Sequence, residues 1–364
     1  MKTILIHMGL HKTGTTAIQA ALAKFRDVLL EQGYCYPHTT TADGTRLLDH
    51  HDLAHAIADQ DSRLTDSDID SCVRHWRDTD ASRVHTFILS SESMSRHQLP
   101  ASERGWAARR RAYLDRLRTR LQGFHLVPVV VLRRQDDYIR SLYQEHVRKG
   151  TADGSVSFAA FREKRQKTAL HFLDNLRLIE DCLGQAVVLT YEDLIASGDL
   201  TRGFLTRLGI DVDALGELKK PSKRIRTSLS PTETALKLHI NQHGTRFFSN
   251  TEAMYWLKSG AGKRCLRKLV QAGEIWASRA EREAFLETFA EDNEAIRHRY
   301  FPDRDTLFPP LKAPDGQIVY KSRLNETEQA MVDAALRKPW MGLLHKRLLE
   351  RARTLARRWL RSDQ

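Results

Sequence analysis

The opening of this 364-residue chain constrains its fold more than any other segment. Residues 3–8 form a short apolar run rich in β-formers, which predicts a buried strand. Residues 9–15 hold two glycines and read as a turn. From residue 16 to 32 apolar side chains recur at helical spacing, as Ile18, Leu22, Phe25 and Leu29. The alternation continues. Strands are predicted at residues 84–89, 126–132 and 186–190, and helices at 104–121, 137–148, 168–182 and 199–208. Strands alternating with helices imply an α/β chain whose central, mostly parallel sheet is covered on both faces, in three layers α/β/α. Ligands in such sheets bind beyond the carboxyl ends of the strands. Past Pro221 the strand signal fades, and residues 231–242, 281–300 and 325–336 read as helical additions. The expected organisation is one domain over 1–310 and a basic helical C-terminal extension over 311–364.

The turn reads Gly9, Leu10, His11, Lys12, Thr13, Gly14, Thr15, Thr16. A strand, a glycine-containing turn and a helix N-terminus make an anion site, because backbone N–H groups converge there and the helix dipole adds partial positive charge. Lys12 supplies a full charge, and Thr15 and Thr16 supply hydroxyls. The spacing of Gly9, Gly14 and Thr16 matches the phosphate loop G-x-x-x-x-G-K-[ST], which makes the expected fold P-loop-like. The lysine of that pattern is absent, since Thr15 stands in its place and Lys12 lies inside the turn. A nucleoside-triphosphate enzyme needs its lysine on the β- and γ-phosphates. The loop therefore suits fewer phosphates, with a nucleotide kinase as the competing reading.

A second motif begins with Val129, Val130, Val131 and Leu132, a strand that ends in Arg133 and Arg134 and runs on to Arg140, Ser141 and Tyr143. An arginine at a strand end can grip a phosphate with two parallel hydrogen bonds. Ser141 lies about two turns into the following helix. The competing expectation pairs Arg133 with Asp136 or Asp137 at the surface.

These residues resemble the PAPS-dependent sulfotransferases (PAPS is 3'-phosphoadenosine 5'-phosphosulfate), in wording closest to the bacterial and carbohydrate-sulfotransferase branch. Lys12, Thr13, Gly14, Thr15 and Thr16 are similar to the family's 5'-phosphosulfate loop. Arg133, Ser141 and Tyr143 are similar to its 3'-phosphate element. Gln135 stands where that element commonly has proline, and Tyr138 where it commonly has a second basic residue, a role open to Arg134 or Arg140. Fainter likeness extends through Val188–Leu194 and Phe204 to Arg299, Tyr300 and Phe308. Lys223, Arg224 and Arg226 form a basic loop where family members close over the 3'-phosphate.

The resemblance implies a transferase that moves a sulfuryl group from PAPS to a hydroxyl or amine acceptor, a carbohydrate or glycolipid, with no metal required. Gly9, His11, Lys12, Thr13, Gly14, Thr15, Thr16, Arg133 and Ser141 would bind the donor, and Lys12 would also act on the reacting group. Two residues compete for the acceptor's proton. His51 lies in the cluster His50, His51, Asp52, Leu53, Ala54, His55, and Glu92 follows the strand at 84–89. A neutral imidazole suits base work near neutral pH, which favours His51.

The net charge of +12 favours anionic partners, but nine of the Lys and Arg residues and only two acids fall in residues 337–364. The tail thus holds +7 of the excess. Residues 340–360 read as an amphipathic basic helix that could pack on the domain, touch an acidic membrane surface or hold a polyanion. A non-catalytic polyanion-binding protein is accordingly the remaining alternative; nucleic acid is not an expected partner. The four cysteines are far apart, which argues against a zinc site or disulfide framework and suits a reducing, cytoplasmic compartment.

Overall fold

The computed structural model describes residues 1–10, 12–99, 105–196, 198–216, 228–244, 249–311 and 317–337. The main sheet has five strands, β1 (Thr3–Gly9), β2 (Tyr34–Cys35), β3 (Thr86–Ser90), β4 (His125–Leu132) and β5 (Val187–Thr190). Their order is β2-β3-β1-β4-β5, and every pairing is parallel. β1 is the centre, with Leu5 opposite Ile88 on one side and Val127 on the other. Ile4, Ile6 and Met8 on one face and His7 on the other are fully buried, as a strand covered on both faces requires.

The first helices are α1 (Thr15–Lys24), α2 (Arg26–Glu31), α3 (His51–Ile57) and α4 (Asp66–Asp78). α5 (Trp106–Arg120), α6 (Gln135–Lys149), α7 (Phe158–Ala169), α8 (Phe172–Leu183), α9 (Tyr191–Ala196) and α10 (Leu200–Arg207) follow. Both faces of the sheet are occupied. Ile88, Val129, Val131 and Leu189 pack with Ile18, Leu22 and Leu29 of α1 and α2 and with Phe204 and Leu205 of α10. Phe87, which points the other way from Ile88 in the pleat, stacks on Trp76 of α4 with ring centroids 6.1 Å apart.

Pro128 sits within β4 although proline removes a ladder donor. His125 N–H donates to Lys2 O, so alternate residues from His125 onward donate toward β1. Pro128 therefore faces the other side, and β5 joins β4 only from Val129. The missing N–H falls where no strand waits for it.

The remaining helices are α11 (Pro231–His243), α12 (Asn250–Lys258), α13 (Gly260–Lys268), α14 (Arg279–Glu287), α15 (Ala290–Tyr300) and α16 (Glu326–Arg337). The chain forms two compact units, the first from residues 1–145, 157–228 and 276–317 and the second from 146–156, 229–275 and 318–364. The second unit has its own core, in which Leu236, Ile240, Trp256, Leu257, Cys265, Val332 and Leu336 come from α11, α12, α13 and α16. Capping boxes start α11 (Ser230 with Glu233) and α12 (Ser249 with Glu252).

Several predicted helices are broken. The helix expected over 16–32 divides at Phe25 (φ −101°, ψ 22°), where Arg26 turns aside to donate from Nε to Tyr36 O at 2.8 Å. The helix expected over 281–300 divides into α14 and α15. The one expected over 168–182 is the end of α7 and most of α8. Among the described residues no helix is long and apolar enough to cross a membrane. The basic helix expected over 340–360 lies outside the described residues.

Gly14 precedes α1 with φ 81°, and a methyl built there would come 2.6 Å from the Leu200 side chain. Leu200 can shift, but the left-handed backbone disfavours any side chain. Gly14→Ala is expected to destabilise the first unit by about 1–2 kcal/mol, read as a lowered midpoint in urea unfolding. An unchanged midpoint would show that the loop relaxes at no cost.

Candidate functional site

The loop after β1 is held from several directions. Leu10 N–H donates to Val131 O at 3.4 Å, and Thr13 donates to Leu10 O from its hydroxyl at 2.6 Å. Thr13 and Thr15 are buried with their hydroxyls 3.5 Å apart, whereas Thr16 is exposed. A methyl on Gly9 would meet Thr15 Oγ1 at 2.7 Å, His7 Nε2 at 2.9 Å and Thr13 Oγ1 at 3.0 Å. Only glycine lets the loop fold this closely over the strand end. α1 begins with no side-chain cap and no acid in its first turn, while α10 is capped by Asp199 on the N–H groups of Thr201 and Arg202. The first N–H groups of a helix have no intrahelical partner, and no side chain caps those at the start of α1.

Lys12 takes a left-handed conformation at φ 68°, and its Nζ lies 2.5 Å from Glu145 Oε2 of α6. His11 lies outside the described residues.

Arg133 closes the other side of this site. Its Nη1 donates to Lys12 O at 2.7 Å, and its guanidinium lies over the Tyr191 ring at 4.6 Å. Its Nε is buried with no hydrogen-bond partner among the described residues. The alternative pairing of Arg133 with Asp136 or Asp137 is not what forms. Arg134 binds Asp136 at 2.7 Å and Asp137 at 3.1 Å, and Arg282 binds the same two at 2.5 and 3.2 Å. Burial pushes Asp136 up, but hydrogen bonds and charge from Arg134 and Arg282 outweigh it and hold the carboxyl below its usual range.

Arg140 also pairs with Asp137, at 2.7 Å. Both residues expected to substitute for the family's second basic group are thus engaged with carboxylates. Ser141 is buried in α6, and among the described residues no hydrogen bond joins it to Arg133 or to the loop. Gln135 bonds Asn293 at 2.6 Å. The basic loop of Lys223, Arg224 and Arg226 lies outside the described residues.

Both candidate bases lie beside the carboxyl end of β3, where histidines and serines interlock. His7 Nδ1 is 2.9 Å from Ser90 Oγ, Ser90 N–H donates to His50 Nδ1 at 3.2 Å, and His51 Nδ1 is 2.9 Å from Ser91 Oγ. Glu92 starts the short 3-10 helix Glu92–Ser95, close enough to His7 and Tyr138 for its charge to raise both pKa values. Burial lowers His7 to about 4 against that effect, and lowers His50 to about 3. His97 is lowered to about 3 by burial first and then by the positive charge of its neighbours. A histidine inside an apolar strand was the available sign of His7, and the serine-rich run after β3 was that of its partners. Glu145 gave no such sign, because nothing local ties it to Lys12.

The loop, Arg133 and the His–Ser seam therefore meet at the carboxyl edge of the sheet, where a parallel α/β fold binds ligands. Comparison with protein-family models, with curated proteins and with solved structures found no match.

The buried histidines carry a pH dependence. Their folded pKa values of about 4, 3 and 3 lie below the 6.5 of a free imidazole. The unfolded chain then binds more protons as pH falls below about 6.5, and stability declines until the folded values are reached. Each contributes up to about 1.4 kcal/mol per pH unit inside that window. The melting temperature is expected to fall between pH 6.5 and 5, above the range of the paired carboxylates, and His50→Gln should flatten that fall. A melting temperature constant over this range would contradict the assignment.

Proposed function

We propose that the protein is a sulfotransferase with a P-loop-like fold, which uses PAPS as donor and a hydroxyl or amine compound, a carbohydrate or glycolipid, as acceptor. The observation that carries the reading is the bond from Arg133 to the carbonyl of Lys12. It joins the two motifs into one anion site, with a lysine, an uncapped helix start and an arginine that has a spare buried donor. The second basic element comes from a different strand end than the loop, which suits a nucleotide phosphorylated at two places better than a chain of three phosphates. The four cysteines are all free thiols, in keeping with a cytoplasmic setting.

The donor supplies a sulfuryl group, which an acceptor oxygen or nitrogen takes by in-line displacement as adenosine bisphosphate leaves. The chain's own residues have three tasks. Gly9, Gly14 and the N–H groups at the start of α1 form the cradle for the 5'-phosphate, with Thr15 inside it. Lys12, once its ammonium turns from Glu145 to the donor, offsets the negative charge that grows on the leaving oxygen; one such charge-stabilising donor is worth roughly 3–4 kcal/mol. Arg133, braced by Tyr191, grips the 3'-phosphate. The acceptor's proton goes to His51, whose Nδ1 is engaged by Ser91 so that Nε2 is the nitrogen left for the work, or to Glu92 next along the chain. A metal is not required, because the transferred group carries a single negative charge.

Titration calorimetry with adenosine 3',5'-bisphosphate, ADP, and ATP with Mg²⁺ tests the reading. The bisphosphate is expected to bind best, and Arg133→Ala to weaken it by more than ten-fold, as loss of a charge-assisted bond of about 1.5–3 kcal/mol predicts. A preference for ATP would replace the reading with a nucleotide kinase. Absence of nucleotide binding alongside salt-sensitive heparin binding would replace it with a polyanion-binding protein.

The base is tested separately. His51→Ala is expected to lower kcat about 10²–10⁴-fold with bisphosphate affinity unchanged. Turnover retained in His51→Ala and lost in Glu92→Gln would assign the base to Glu92.

A further inference from the structure

A cavity of about 600 Å³ opens beside Leu10 of the loop, within the first unit. Its size suits a ligand of one or two sugar rings. Arg96, Arg109 and Arg165 line it, and among the described residues no aspartate or glutamate does. Three of its buried polar atoms, Arg109 Nε, His97 Nε2 and Gln98 Oε1, have no hydrogen-bond partner among the described residues. Such atoms are costly to leave unpaired in a native fold, and several around one concavity point to a bound group that completes them.

The neighbouring arginines of α5 are held by the protein itself. Arg110 is fully buried and donates to Asn175 Oδ1 at 3.0 Å and to His97 O at 2.8 Å, with its Nη2 left without a partner among the described residues. Arg111 pairs with Asp181 at 2.8 Å. Arg109, the residue before them and one of the three arginines that line the cavity, has a buried donor unspent among the described residues. His97 does not account for the positive field, since its depressed pKa keeps it neutral. Tyr138, at about 12 through burial, is neutral too; the charges acting on it are Arg96 and Arg165 on one hand and Glu92 on the other. A ligand in this cavity thus meets positive charge from its wall and a carboxylate near Tyr138. Trp106 and Phe172 add aromatic surface to the same wall.

We propose that this cavity holds the acceptor and that the acceptor carries a negative charge of its own, a carboxylate or a phosphate or sulfate ester on the molecule whose hydroxyl reacts. The identity of the ligand as acceptor rests on the sulfotransferase reading; its anionic class rests on the cavity alone. The charged group lies against Arg109 and its neighbours, where a guanidinium binds an oxyanion with two parallel bonds in a poorly hydrated site.

Ligand-observed NMR on the full chain decides the matter with paired probes: 4-nitrophenyl glucuronide against 4-nitrophenyl glucoside, and glucose 6-phosphate against glucose. At least one charged probe is expected to bind ten-fold or more tightly than its neutral counterpart, the pair that responds telling carboxylate from phosphate. Arg109→Gln should remove most of that preference while adenosine 3',5'-bisphosphate binds as in the parent protein, which also reports a folded site. Where Arg109→Gln fails to fold, Arg96→Gln, at an exposed position, is expected to reduce the same preference. Equal binding of charged and neutral probes, or a preference untouched by both substitutions, overturns the proposal. A charge preference without bisphosphate binding would remove the donor reading and leave the anion cavity standing. Bisphosphate binding without a charge preference would remove this inference and leave the donor reading intact.

Discussion

The site depends on the way β1 is gripped from both sides. Its parallel pairing sets His7 opposite Ser90 of β3 and Gly9 opposite Val131 of β4, so the three strands leave the sheet at the same edge, β3 two residues before β1. From that edge the chain leaves β1 into the phosphate-loop candidate, β3 into Ser91 and Glu92, and β4 into Arg133. None of these segments is near another in sequence. A shift of one residue in either register would reverse which side chains face each layer and would separate the three exits. The apolar interlock of Ile88, Val129 and Val131 with α1 and α10 is what fixes the register.

At this edge, neighbouring charges have opposite fates. Arg133 and Arg134 are adjacent, yet the first turns to the loop carbonyl and the second to Asp136 and Asp137. The chain changes there from strand to helix, and successive side chains diverge. Asp136 and Asp137 sit in the first turn of α6, where the helix dipole favours them, and their charge is met by Arg134 and Arg282. Because the carboxylates are met by those two and by Arg140, Arg133 is left with its charge directed at the loop. Arg134 has no donor to offer in its place, since beyond the two carboxylates its Nη1 donates to Pro309 O at 2.8 Å.

The local features were legible in the sequence because short-range rules govern them. The run Thr3 to Met8, the two glycines and the apolar spacing of Ile18, Leu22 and Leu29 specify strand, turn and helix with little help from elsewhere. The break at Phe25 was not legible, since Phe25 continues the apolar stripe and the interruption comes from Arg26 reaching Tyr36. β2 escaped notice because two residues are too few for a period-2 pattern. The arginine-lined cavity was hidden for a different reason. Arg96, Arg109 and Arg165 belong to separate elements, and in the sequence each looks like one more cation in a basic chain.

Lys12 shows how far the fold goes to put a charge in this loop. A non-glycine residue at φ 68° costs on the order of 1 kcal/mol, and glycine would adopt the conformation freely. The strain persists because the residue is held at both ends, its carbonyl by Arg133 and its ammonium by Glu145. Those same contacts would be lost or weakened if the loop took a relaxed shape, and Arg133 would then lose its bearing on the loop. A glycine at this position would remove the strain and also the only cation among the described residues of the turn. The cost of the left-handed lysine is therefore best understood as the cost of placing a positive charge inside the turn, at the point where the backbone of the loop and the arginine of the second motif meet.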